Sequence, residues 1–164
     1  MKPKQEGSVK IRLSSTAITG AILLLSQALM SQSSADPWNA ADLLEPAALA
    51  KTLQSSNAKP AILAVAFPVL YNNKHLPQAI FAGPGSTAAG IDALKKAAAN
   101  LGKDSDIVIY CGCCPMEKCP NVRPAYSLLK QMGFTKVGVL HVPTNMATDW
   151  FDKGYPSENG SALK

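Results

Sequence analysis

Outside one stretch of nine residues the 164-residue chain has no cysteine, and in its whole length it has only two histidines. His75 and His141 stand beside no serine or carboxylate pattern, so nothing in the sequence builds a histidine-based triad. His75 reads as a structural hydrogen-bonding group in a turn and His141 as a satisfied histidine on a strand. The apolar stretch Ala17 to Met30 has 14 residues, broken by Gly20, Ser26 and Gln27, and falls short of the roughly 20 needed to span a bilayer. There is no lysine and arginine stripe, no internal repeat and no sign of a second domain.

What is present at the start is an export pattern. Lys2, Lys4, Lys10 and Arg12 form a basic head, Ala17 to Met30 an apolar segment, and Ser33-Ser34-Ala35 a small-residue cleavage site, the layout of a secretory signal peptide. Cleavage is expected after Ala35, and with no cysteine nearby the new terminus has no site for lipid. The formal net charge of +5 belongs mostly to this head, which holds four basic residues against Glu6. Residues 36 to 164 carry 12 basic and 10 acidic side chains, a balance that argues against nucleic acid as a partner. Their 129 residues suit one domain with a real core. Export, to a periplasmic or extracellular location, puts the cysteines where disulfides persist.

Helical and strand patterns alternate along these residues. Leu43, Leu44, Ala47, Leu49 and Leu53 repeat at helical spacing, and Pro46 restricts the helix to Glu45 to Ser55. Ala61 to Ala66 is short and uniformly apolar, as in a strand covered on both faces. Phe67 to Leu76 reads as a surface segment rich in turn residues, and Ala79 to Ala82 as a brief strand ended by Gly83-Pro84-Gly85. Thr87 is placed to cap an alanine-rich helix running to Leu101, with Gly102 past its end.

Ile107 to Tyr110 is the next strand. Val122, Ala125, Tyr126, Leu129 and Met132 then form a stripe that stops at Gly133, marking a helix. Val137 to Val142 is a further strand, Asn145 to Asp152 a short helix, and Ser157 to Lys164 a polar tail expected to fray. The alternation predicts an α/β fold, a single domain with a central parallel sheet and helices on both faces.

The cysteines follow the third of these strands: Cys111-Gly112-Cys113-Cys114-Pro115-Met116-Glu117-Lys118-Cys119. That edge of a parallel sheet is where ligands bind. At Cys111 the N–H groups of the loop and of the following helix can converge on one sulfur and stabilise its anion. Lys118 and Arg123 would add positive charge for a thiolate and an anionic substrate.

Four motifs in order carry a family resemblance. Asp106-Ile107-Val108-Ile109-Tyr110-Cys111, the helix end Leu129-Lys130-Gln131-Met132-Gly133-Phe134, Trp150-Phe151-Asp152-Lys153-Gly154-Tyr155-Pro156 and the turn His75-Leu76-Pro77-Gln78-Ala79 resemble the rhodanese-like (sulfurtransferase) domain. The resemblance runs over about residues 40 to 156. It implies that Cys111 is a nucleophile that takes a sulfane sulfur from a small anionic donor, such as thiosulfate, carries it as a persulfide and passes it to a thiol acceptor. It also implies that Gly112 and its neighbours cradle the sulfur while Lys118 or Arg123 holds the donor. No cofactor is called for.

The chain departs from the family in three places. Ala64 and Ala66 stand where family members carry an Asp-x-Arg pair, and Asn145-Met146 where Gly-Gly is common. The active loop is about five residues longer and contains three extra cysteines. Those cysteines admit three readings. Cys113, Cys114 and Cys119 are redox or resolving thiols, with a disulfide from Cys119 to Cys113 or Cys114, since adjacent cysteines pair poorly. Alternatively Cys111, Cys113, Cys114 and Cys119 hold a metal, zinc or copper(I). In the third, Cys111-Gly112-Cys113-Cys114 is a dithiol exchanger. A non-catalytic binding module is also compatible with the fold, although the nucleophile is retained.

Overall fold

The computed structural model describes residues 36–55 and 59–160. The expected export signal at residues 1–35 and the last residues of the tail, 161–164, lie outside the described residues. A central parallel sheet is built from β1 (Leu43–Leu44), β2 (Ala61–Ala64), β4 (Ile80–Phe81), β5 (Ile107–Tyr110) and β6 (Val137–Leu140). Its five strands lie in the order β1-β6-β5-β2-β4. In register, Leu63 stands opposite Ile109 and Ala64 opposite Tyr110, while Ile109 pairs with Val139.

Both faces of this sheet are covered, which is why β2 and β5 are apolar at every position. Side chains alternate across the pleat. Ile107 and Ile109 pack with Leu63, Val65 and Val139 against α3 (Ala88–Ala98) and α4 (Val122–Gln131) through Leu94, Ala98, Ala125 and Leu129. Val108 and Tyr110 point the other way, with Ile62, Ala64 and Leu140, onto Leu49, Ala50 and Leu53 of α1 (Pro46–Ser55) and the fully buried Trp150. Pro46 opens α1, where its missing N–H costs no hydrogen bond. Thr87 caps α3, its hydroxyl accepting from Gly90 N at 3.0 Å.

Several expectations give way here. The stretch Phe67 to Leu76 is no surface coil: it forms α2 (Pro68–Asn73) and then β3 (Lys74–His75), and Leu76 is completely buried. Pro68 at the first helical position starts a helix where the turn residues had suggested none. The tail does not fray at once, because β7 (Glu158–Asn159) pairs antiparallel with β3. Leu43 and Leu44, which precede the expected helix, form an edge strand. The helix α3 stops at Ala98, short of Leu101, and Gly102 is not among the glycines with left-handed φ. The expected short helix is a single π-type turn, Ala147–Phe151.

The connections place one crevice at a special point. From β2 the chain crosses to β4 on one side, then returns past β2 to β5 on the other. The carboxyl ends of β2 and β5 therefore flank a topological switch point, where open α/β sheets bind ligands.

Candidate functional site

Cys111 follows β5 directly and is 4% exposed. Alternation along β5 sends its side chain to the α3 and α4 face, beneath the loop that leads to α4. The loop is not a plain crossing. It turns sharply at Gly112, whose φ is +91°, makes a short 3₁₀ turn at Met116–Lys118, and is pinned to the next strand's end by Met116 N donating to Val142 O at 2.9 Å. A Cβ on Gly112 would collide with Met146 Cγ, so this position requires glycine both for its φ and for the close approach.

The sulfurs form a group. Cys113 Sγ lies 3.5 Å from Cys111 Sγ and 3.2 Å from Cys114 Sγ, and the sulfurs of Cys111, Cys113 and Cys119 all lie within 4.8 Å of one another. All four cysteines are free thiols. No disulfide joins Cys119 to Cys113 or Cys114; the 3₁₀ turn carries Cys119 inward until it is 1% exposed, with its sulfur within 4.8 Å of those of Cys111 and Cys113. The sulfur of Cys114 lies outside the three-membered group, so the four-cysteine metal set is not assembled. Three thiolates are one short of a closed zinc site and suit copper(I) better.

Asn121, fully buried, completes the surroundings of Cys111. Its Oδ1 accepts from Ser86 N at 3.1 Å and from Ser86 Oγ at 2.7 Å, and its Nδ2 donates to Cys111 Sγ at 3.2 Å. Because a backbone N–H can only donate, Ser86 fixes which end of the amide faces the sulfur. The N–H groups at the start of α4 behave differently from expectation: those of Asn121 and Val122 reach Cys119, not Cys111. The helix start thus acts on Cys111 at one remove, through the Cys119 thiol and the Asn121 amide.

The electrostatic result separates the thiols. The hydrogen bond from Cys119 lowers the pKa of Cys111 most; burial opposes it, and the bonds from Asn121 and the Cys113 N–H leave the thiol below its ordinary value. Cys119, donating to Cys111 and buried, is pushed strongly up. Cys113 is exposed as a residue while its sulfur turns inward, and desolvation together with its bond to Cys114 pushes it up to about 11. The group therefore holds one favoured anion among protonated neighbours.

A cavity of about 430 Å³ opens beside Cys111 at the switch point. Ala66 from the end of β2, Tyr110, Gly112, Cys113 and Met146 form much of its wall, and among the described residues Lys74 is the one cation lining it. Lys118 and Arg123 do not line it. Lys118 is exposed on the 3₁₀ turn, and Arg123 pairs with Asp36, its Nε donating to Oδ1 at 2.8 Å, and lies over the Trp38 ring at 5.5 Å. Neither histidine reaches the cavity: His75 Nδ1 is 2.9 Å from Leu76 O, and His141 Nδ1 is 2.9 Å from Glu45 Oε1. Asp149 accepts from Thr144 N and Asn145 N and holds the opposite wall.

Lys74 and Asn121 were not identified from sequence. An asparagine just before a helix reads as an ordinary cap, and Asn121 makes no such cap bond. Lys74 carried no signal, being one lysine in a segment read as coil.

The profile of the rhodanese-like domain family matches residues 45–141, more than half of the chain. The protein belongs to the rhodanese-like domain family. Its architecture is the rhodanese fold, and solved structures share it. A rhodanese-like domain from Anabaena superposes with a TM-score of 0.56 at 24% identity, over 74% of this chain and 80% of that one. A protein from Bacillus halodurans gives 0.56 at 18% identity, over 89% and 93%. A thiosulfate sulfurtransferase from Pseudomonas aeruginosa gives 0.54 at 20% identity, over 73% of this rhodanese-like chain and only 20% of its own. At these identities the likeness is one of fold. No curated protein sequence matches.

Proposed function

We propose that this rhodanese-like domain is a sulfurtransferase in which Cys111 takes the outer sulfur of a small anionic donor of the thiosulfate type and holds it as a persulfide. The observation that carries the reading is the state of Cys111. It is a buried thiol at the carboxyl end of β5, held below its ordinary pKa by Cys119, Asn121 and the Cys113 N–H, and open to a cavity at the sheet's switch point.

Each part has a role in that chemistry. A thiolate is the nucleophile, and splitting the transfer into two displacements suits its polarisable sulfur. Hydrogen bonds aimed at that sulfur stabilise the attacking thiolate, and in the persulfide the charge moves to the outer sulfur. Lys74, in place of Lys118 or Arg123, attracts the anionic end of the donor. Ala64 and Ala66 leave the β2 end without a charged pair, so the donor's charge is met from β3. The amino-terminal pattern supports export, with residues 1–35 as a cleaved signal and the domain working in the periplasm or outside the cell.

The test is mass spectrometry of protein incubated with thiosulfate. One added sulfur on the peptide containing Cys111, lost in Cys111→Ala, is expected. An unmodified Cys111 with every sulfane donor would sink the assignment.

A further inference from the structure

The long loop puts a second thiol where the persulfide chemistry does not call for one. Cys113 Sγ is 3.5 Å from Cys111 Sγ, essentially the van der Waals contact of two sulfurs and the approach from which a disulfide closes. The left-handed turn at Gly112, φ +91°, folds Cys113 back over Cys111 and makes that approach possible for residues only two apart. We infer that Cys113 is a resolving thiol, which discharges the Cys111 persulfide as hydrogen sulfide and closes a Cys111–Cys113 disulfide. The inference rests on the persulfide reading of Cys111.

The step balances without any outside oxidant. Cys113 Sγ attacks the inner sulfur, Cys111 Sγ. The Sγ–Sγ bond forms, the bond from Cys111 Sγ to the outer sulfur breaks, and that sulfur leaves with the electron pair. The proton of Cys113 goes to the departing sulfur, which is released as hydrosulfide. The sulfane sulfur is reduced to sulfide by two electrons, and the two thiols are oxidised to a disulfide. A second turnover needs a dithiol reductant to reopen it.

Position assigns the task to Cys113 in preference to the other two thiols. Cys119 Sγ also lies within 4.8 Å of Cys111 Sγ, but the residue is 1% exposed, so no reductant would reach a bond made there. The sulfur of Cys114 lies outside the compact group around Cys111 and contacts Cys113. Cys113 alone both touches Cys111 and reaches the surface. Desolvation and the bond to Cys114 hold its thiol protonated, which works against attack because the thiolate is the nucleophile, so the proton must pass to the departing sulfur as the new bond forms. A bridge across three residues is strained, and strained disulfides are readily reduced.

The experiment mixes reduced protein, freed of small thiols, with one equivalent of thiosulfate and follows sulfite, sulfide and intact mass. The unaltered protein should release one sulfite and one sulfide per chain and lose two hydrogens, with the bridge mapped between Cys111 and Cys113. Cys113→Ser, and Cys113→Ala as a second variant at this exposed position, should release sulfite, release no sulfide, and keep the added sulfur on Cys111. Sulfur retained on Cys111 in the unaltered protein as in the variants would overturn the resolving role. So would a persulfide found on Cys113, or a bridge mapped to Cys114 or Cys119. Absence of sulfite and of any sulfur adduct in all three proteins would overturn the persulfide reading itself, and this one with it.

Discussion

At the scale of single residues the site depends on a division of protons among sulfurs. Cys111 is favoured as the anion because Cys119 and Asn121 both give hydrogen bonds to it. Alkylation of Cys111 as a function of pH should therefore show a midpoint below that of a cysteine in the unfolded chain, and Asn121→Ala should move that midpoint upward. The same substitution removes the acceptor for the Ser86 N–H and leaves a gap in a fully buried place, at a cost of about 1–3 kcal/mol in stability, measurable by urea denaturation. A midpoint in Asn121→Ala equal to that of the unaltered protein would mean the amide only fills space. Lys74→Ala should raise the KM for thiosulfate more than it lowers kcat, whereas Arg123→Ala, which breaks a pair with Asp36 away from the cavity, should change neither by much. The reverse pattern would return the donor to the helix start.

At the scale of elements, the loop from Cys111 to Asn121 does more than connect β5 to α4. Gly112 bends it, the 3₁₀ turn buries Cys119, and Met116 fastens it to the end of β6. Gly112→Ala should cost about 1–3 kcal/mol for the left-handed backbone and slow alkylation of Cys111, since Met146 must move. An unperturbed melting curve and an unchanged rate would contradict the tight fit. The strand and helix that flank the loop were legible in the sequence because each shows its period over a whole element: Ile107 to Tyr110 as an apolar run, and Val122, Ala125, Tyr126 and Leu129 as a helical stripe. That placed Cys111 at a strand's end, and so at the site. The short elements were less legible. β1, β3 and β7 have two residues each, too few for any period, and they exist because a partner strand lies alongside. The contacts that complete the site were hidden for the same reason. Asn121 finds Ser86 across 35 residues, and Lys74 lines the cavity from β3, a two-residue strand paired with β7.

At the scale of the whole molecule, the shifted thiols tie stability to pH with two opposite signs. The folded pKa of Cys111 lies below its unfolded value, so between the two the unfolded chain binds more protons and stability rises with pH up to about 8.5. The folded pKa values of Cys113 and Cys119 lie above theirs. From about 8.5 upward the folded chain therefore holds more protons and stability falls. Tyr110 and Tyr126, both raised mainly by burial, steepen the fall at higher pH. Denaturation across pH 6 to 11 should show a shallow maximum near the ordinary thiol value, and Cys111→Ala should lose the rising limb. The core that holds the site in place turns on Trp150, fully buried with Nε1 donating to Pro156 O at 2.9 Å. Trp150→Ala should cost about 3–5 kcal/mol.

The central claim is that Cys111 is an activated thiol that accepts a sulfane sulfur, and the sulfite released on first mixing with thiosulfate tests it most directly. A rapid burst of one sulfite per chain, abolished in Cys111→Ser, is expected. No burst, or the same burst in Cys111→Ser, would contradict it.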